Sequence, residues 1–322
     1  MNLRALSCAA ALSVAALVGP AQAADYPQQN LQYIVPFGPG GEVDLAARLQ
    51  QPLFEKLTGQ KMIVSYRAGG GGAVAWSQMK DMPTDGYSSV AFSLPHIILK
   101  PMAEHAGFET ADVGVVHVFH FSPDAIVVAK DSPYQTLEQL LEAARKQPGA
   151  FTFSGTGTYT ANHVAKERFD KLAGIKTTYI PFKGTAEAVT GLLNGSVQAQ
   201  WGYTTVAAAH ADKVRMLAVA LEERHPMYPD VPTLKEKGFD MVGGAYRGVA
   251  VPKDTPEAVK QELSRIFAEI NRDPEFRKRM EDLGFAVSDI TYDKVPAFLA
   301  ERRAEYLDVA GALGLANTAA SK

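Results

Sequence analysis

From Leu31 onward the chain alternates short apolar runs with amphipathic stretches, and this rhythm constrains the fold more than any other feature. Leu31–Pro36, Met62–Tyr66, Ser88–Phe92, Val113–Phe121, Ala125–Ala129, Phe151–Phe153, Thr177–Pro181, Val197–Trp201 and Arg215–Ala220 have the length and apolar content of buried strands. Between them lie helical patterns, among them Glu42–Leu57, Ala73–Lys80 and Leu137–Gln147. Such alternation predicts α/β layers around mostly parallel sheets. After a strand near Val249–Val251 the pattern changes to long helices, Pro256–Asn271, Pro274–Leu283 and Val295–Leu313, with Pro256 and Pro274 in first turns, where a missing N–H is tolerated.

The first residues read differently. Arg4 precedes an apolar run, Ala5–Val18, too short to span a bilayer; Gly19-Pro20 breaks it and Ala21-Gln22-Ala23 has the A-x-A form of a processing site. Residues 1–23 are therefore expected to be a secretory signal peptide, cut after Ala23 or Ala24, placing the mature chain in the periplasm. Cys8 is the only cysteine, and too few apolar residues precede it for a lipoprotein anchor. The mature chain then has neither disulfide nor thiolate chemistry, so a chain of about 300 residues must stand on its apolar core, which suits two domains. Without Arg4 there are 31 basic residues against 35 acidic ones, a net charge of −4. No basic run stands out, so no nucleic-acid partner is expected, and any anion site must be local.

Glycine- and hydroxyl-rich loops follow the predicted strands. Phe37-Gly38-Pro39-Gly40-Gly41 leads into a helix carrying Glu42 and Asp44. It lacks the lysine of a phosphate loop and is not G-x-G-x-x-G. Backbone N–H groups at a helix start nevertheless favour an anion, and a small carboxylate needs no lysine there; Asp44 either contacts ligand or caps the first turn. The second loop is Arg67 to Trp76, RAGGGGAVAW. The third is Ser154-Gly155-Thr156-Gly157-Thr158, where hydroxyls and N–H groups converge before a helix; it is not the G-x-S-x-G of a nucleophile elbow. Lys183-Gly184-Thr185 and Trp201-Gly202-Tyr203-Thr204-Thr205 complete the set. In doubly wound sheets ligands sit beyond the C-terminal ends of strands, and this shared position makes the loops candidate contacts, with Ser93 and His96 added after the third strand. YIVPFGPGGEVDLAARL and YIPFKGTAEAVTGLL also echo one another, so Pro36-Phe37 and Pro181-Phe182 would hold similar places in two lobes. His117 and His120 lie on opposite faces of a strand. No metal, cofactor or catalytic constellation is expected.

The chain resembles the solute-binding proteins of tripartite tricarboxylate transporters, the Bug-type receptors, over nearly all of its mature length. The resemblance rests on YPQQNLQYIVPFGPGGEVDLAARL, YRAGGGGAVA, PTDGYSSVAFS, PFKGTAEAVTGLLNGSVQA and YPDVPTLKEKGF. It implies a two-lobed periplasmic binding protein of type II-like fold, with two doubly wound sheets joined by two crossing strands. Lobe one would take residues 24–123 and 245–322, lobe two residues 124–244. It also implies a receptor, not an enzyme: a monomer that closes on a small organic carboxylate, with a di- or tricarboxylate favoured, and delivers it to membrane transporter subunits. Contacts would come from Gly38 to Asp44 and from Ser154 to Thr158. The chain departs from the family pattern at Tyr66, at Glu42 where a small residue is common, at Gly202-Tyr203, and at Arg247; Tyr203 and Arg247 are candidates for a second carboxylate or for packing at the hinge. A sensor subunit and a secreted hydrolase are the alternative readings.

Overall fold

The computed structural model describes residues 26–103, 106–311 and 313–315. The expected signal peptide and its cleavage site lie outside the described residues. The chain begins β1 (Leu31–Val35), α1 (Glu42–Thr58), β2 (Met62–Tyr66), α2 (Ala73–Ser77), β3 (Ser88–Leu94) and α3 (His96–Leu99), then enters the long strand β4 (Val113–Ala129). There follow α4 (Leu137–Lys146), β5 (Thr152–Gly155), α5 (Ala161–Ala173), β6 (Thr178–Pro181), α6 (Thr185–Leu193), β7 (Ala199–Tyr203), α7 (Thr204–Ala209) and β8 (Val214–Val219). The chain returns through β9 (Gly244–Pro252) and ends with α8 (Glu257–Arg272), α9 (Pro274–Asp282), β10 (Ala286–Ile290) and α10 (Val295–Ala310).

Two sheets share β4. Its first part, Val113–Pro123, pairs with β9, which pairs in turn with β3, β1 and β2. From Asp124 the same strand pairs with β7, and from Ala125 with β8, beside β5 and β6. Pro123 marks the change of partners. It has no N–H for a ladder, yet its fixed φ suits extended backbone, so the strand continues unbroken while its neighbours switch. This is why the two strands expected at Val113–Phe121 and Ala125–Ala129 form one. Gly244, opposite Pro123, fits because a Cβ there would stand 2.3 Å from Ser122 O.

The parallel character is narrower than expected. β1 pairs in parallel with β2 and β3, and β5 with β6 and β7, whereas β4 and β9 pair antiparallel to all their neighbours. β10, unforeseen in the sequence, adds to β4 with a half-exposed surface. The helix expected over Ala73–Lys80 stops at Ser77 and continues as a 3-10 turn, Met79–Asp81. The β4–β9 register slips between Val115 and His117 and again between Val118 and His120. His117 thereby meets Ser264 Oγ on α8 at 3.1 Å, while the His120 ring lies 4.7 Å from that of Phe285.

Packing follows the strand period. Ile126 and Val128 face a core with Phe153, Phe169 and Trp201; Ala125 and Val127 face the other side, with Val189, Leu192 and Val206. The run AIVVA is apolar throughout because helices cover both faces. The first sheet has its own core, including Tyr33, Phe54, Trp76, Phe92, Phe119 and Phe267. Phe153 is fully buried, with its ring 5.3 Å from Phe151 and 5.9 Å from Trp201. Phe153→Ala should therefore cost about 3–5 kcal/mol, read as a lower urea midpoint with an unchanged slope.

Candidate functional site

The end of β1 builds the first wall of the site. Phe37 to Gly41 turns the chain into α1, and Gly40, at φ 75°, takes a left-handed conformation that glycine adopts freely. No side chain caps α1 at Gly41. Asp44 instead braces the loop from below: its carboxylate accepts from Gly40 N at 2.8 Å, Tyr66 Oη at 2.8 Å and Arg48 Nε at 3.1 Å. Asp44 thus braces the loop through its side chain, and Tyr66 is part of that brace.

The echoing loop forms the opposite wall. Phe182-Lys183-Gly184 leads from β6 into α6, and Gly184 likewise carries no side-chain cap. A Cβ on Gly184 would lie 3.4 Å from Gly38 N, and one on Gly41 would lie 3.9 Å from Thr185 N. The two helix starts thus face each other at close range, so the positive ends of both helix dipoles meet in one gap.

Behind that gap lies a buried ion pair. Arg247 on β9 donates from Nη2 to Glu42 Oε2 at 2.5 Å and from Nη1 to Ser122 Oγ at 2.8 Å. Thr205 of α7 donates to the other Glu42 oxygen. The guanidinium stands 4.7 Å over the Tyr203 ring. Glu42 and Arg247 are each only 4 % exposed. Burial raises the Glu42 pKa, against the opposing influence of Arg247, Thr205 and Ser122. His96 packs edge-on to Phe37 and Trp76; burial, then Arg247 and Lys100, keep its pKa well below the ordinary value, so the ring is neutral. His96 Nδ1, Ser93 Oγ and Tyr203 Oη are buried without a hydrogen-bond partner.

Phe37, Gly38, Gly41, Glu42, Val43, His96, Thr156, Thr185 and Arg247 enclose what space remains, ≈ 10 Å³, room for one water at most. The cleft is shut. Further contacts hold it so: Lys100 Nζ donates to Thr158 O at 2.7 Å, Thr204 Oγ1 donates to Gly284 O at 2.7 Å, and Gly157 lies against Gly71. Burial lowers the Lys100 pKa to about 8. A larger cavity, ≈ 80 Å³, lies between α5, α10 and the strand crossing, lined by Asp124, Arg168 and Arg302 among others.

The structure thus brings Phe37, Gly38, Gly41, His96, Thr156 and Arg247 to one cavity, with Gly40 and Gly184 at its walls. Pro39 and Lys183 are exposed, Ser154 is buried beneath its loop, and Thr158 meets Lys100 through its carbonyl. A Cβ on Gly155 would meet Tyr179 Oη at 2.2 Å and Asn162 Cβ at 2.6 Å, so the packing of its own layer leaves no room for a side chain there. Thr185, Val43 and Thr205 lie within the loops singled out in the sequence; Lys100 was missed. Glu42 lies in the contact range Gly38 to Asp44 and was noted as a departure from the family pattern, but its polar type at a helix start gave no sign that it would turn inward.

Two outcomes follow from this geometry. Gly157 has φ 101°, and a Cβ there would stand 2.9 Å from Gly71 Cα. Gly157→Val should hold the cleft open, giving a larger radius of gyration by small-angle scattering with helix content unchanged; an unchanged radius would show that this contact does not limit closure. For Glu42, a folded-state pKa above the unfolded one means that the folded protein binds the extra proton first. Stability from this group is therefore gained as pH falls from neutral toward the unfolded value and lost as pH rises through the folded one. Denaturant titrations of wild type and Glu42→Gln should differ progressively in favour of wild type as pH is lowered toward about 5.

Comparison with known proteins agrees with this geometry. A family model described as tripartite tricarboxylate transporter family receptor matches residues 45–315. A UPF0065 protein in the tcbD-tcbE intergenic region of Pseudomonas sp. (strain P51) is 31% identical over 254 residues, covering 77% of this chain and 74% of that one. The structure of periplasmic binding protein BugD superposes with a TM-score of 0.84 at 26% identity, covering 90% of this chain and 99% of that one. Rpa4515 of R. palustris, solved with adipate, has the same fold, with a TM-score of 0.85 at 24% identity over 90% of this chain and 99% of that one. Among the described residues no helix is long and apolar enough to cross a membrane. The chain belongs to the tripartite tricarboxylate transporter family of receptors, the Bug-type solute-binding proteins.

Proposed function

We propose that the chain is a periplasmic receptor that closes on a small organic carboxylate and delivers it, as a monomer, to the membrane subunits of a tripartite tricarboxylate-type transporter. Lobe one takes residues 24–123 and 245–322, lobe two residues 124–244, and β4 and β9 are the hinge. One observation carries the reading: the α1 and α6 starts, both without side-chain caps, face each other across a shut cleft. Their first-turn N–H groups need acceptors, and a ligand carboxylate supplies them to both lobes at once. The adipate held by Rpa4515 supports a carboxylate as the ligand class.

Because the donors are divided between lobes, the ligand binds the closed form best and shifts the population toward it. The enclosed space is smaller than any organic acid, so entry requires opening. The sequence favours a di- or tricarboxylate; the Glu42–Arg247 pair bears on that choice below. The mature protein should be screened by thermal shift against succinate, malate, adipate, citrate and their monoamides. A cognate acid at a hundredfold excess over Kd should add about 3 kcal/mol of stability, with saturable heat by calorimetry. Absence of binding across the panel would overturn the carboxylate reading.

A further inference from the structure

We infer that Glu42 is a specificity-determining residue: it occupies the cleft's arginine with the chain's own carboxylate, so the receptor selects acids with one free carboxylate and a neutral hydrogen-bonding end over dicarboxylates. The inference rests on the carboxylate reading above and narrows it.

The argument is one of charge and donors. Among the described residues lining the cavity, Arg247 alone carries a permanent positive charge, and His96 is neutral. A ligand with two carboxylates needs two anion sites there. The paired helix starts offer one. Arg247 would be the other, but its charge is already matched by Glu42 on Nη2, with Ser122 on Nη1, and only its buried Nε is without a partner. A second ligand carboxylate would have to approach Glu42 itself at low dielectric, and like-charge contact of that kind is strongly unfavourable.

A neutral end meets the opposite situation. The Glu42 carboxylate has protein donors in Thr205 and Arg247, with the Ser122 hydroxyl also against it, and the lone pair left over can take an amide or hydroxyl donor. Acceptors in such a group also find donors. Ser93 stands opposite Arg247 in the β3–β9 register, and the Tyr203 ring lies under the guanidinium; both hydroxyls are buried without partners. Buried polar groups without partners are costly, so a ligand that satisfies them gains what an apolar end would not.

Glu42 also spans the site: its helix start belongs with β1, whereas Thr205 belongs to α7 beyond β7. The side chain therefore reads the ligand's far end only when the cleft is shut.

The test is the ratio of two dissociation constants, measured by calorimetry on the full mature protein. The probes are two nearly isosteric pairs, succinate with succinamate and adipate with adipamate, against wild type, Glu42→Gln and Glu42→Gly. Wild type should bind one of the monoamides at least about tenfold more tightly than its diacid. In both variants that preference should fall about tenfold or reverse, because Arg247 is released to take a second carboxylate. Glu42→Gln keeps the shape of the side chain and serves if Glu42→Gly does not fold. If wild type binds a diacid as tightly as its monoamide, or the ratio is unchanged in a folded variant, Glu42 does not set specificity, while the carboxylate reading stands. If no acid binds wild type or either folded variant, the carboxylate reading fails and this inference with it.

Discussion

The antiparallel pairing of β4 with β9 is the interaction on which the rest of the structure depends. One strand, Val113–Ala129, contributes to both sheets, and β9 accompanies it from Pro252 back to Gly244. Several groups around the cleft are referred to this ladder: Arg247 lies on β9, His96 follows a strand paired to β9, and Tyr203 ends a strand paired to β4, with Thr205 just beyond it. The crossing also explains local choices that look arbitrary in isolation. Proline is accepted at position 123 because that residue is where ladder partners change. Glycine is needed at 248, where a Cβ would lie 1.9 Å from His117 O.

Within that frame the cleft concentrates polar groups that would be unfavourable singly. A carboxylate and a guanidinium, each nearly excluded from solvent, are tolerated because they pair with one another and with further groups, although Arg247 Nε is left without a partner. Glu42 has Arg247 and Thr205; Arg247 adds Ser122 and the Tyr203 ring. Removing one partner would leave the other buried and uncompensated, typically a loss of about 3–5 kcal/mol. The hydroxyls and ring nitrogen left without partners around this pair are the counterpart: groups held ready in a site, at a cost to the empty protein.

Much of the secondary structure was legible because strand and helix periods differ. The α1 pattern was read one residue short of its end, and both prolines of the C-terminal helices lie at their starts, as expected. The misses have local causes. β10 is half-exposed and weakly apolar, so no alternation announced it. The Gly202-Tyr203 pair read as loop because glycine weakens a strand signal, yet both residues complete β7. Among the loops, those at Phe37–Gly41 and Lys183–Gly184 were legible from their shared form, Pro-Phe then glycine then helix. Their facing one another was suggested by that echo but required the packed lobes to become a distance.

Taken alone, the sequence determined the α/β layering, the glycine turns that precede the helices, the absence of cysteine after Cys8 and the family motifs, because these depend on residue type and short-range period. Only the tertiary structure decided what those groups meet. Asp44 and Glu42 lie two residues apart on α1, and nothing local distinguishes an acid that braces its own loop from one that turns into the cleft. Residue 205 is 163 positions from Glu42, and Arg247 is 205 away. Contacts at such separations are set by how the shared strand brings two sheets together, which no short-range pattern records.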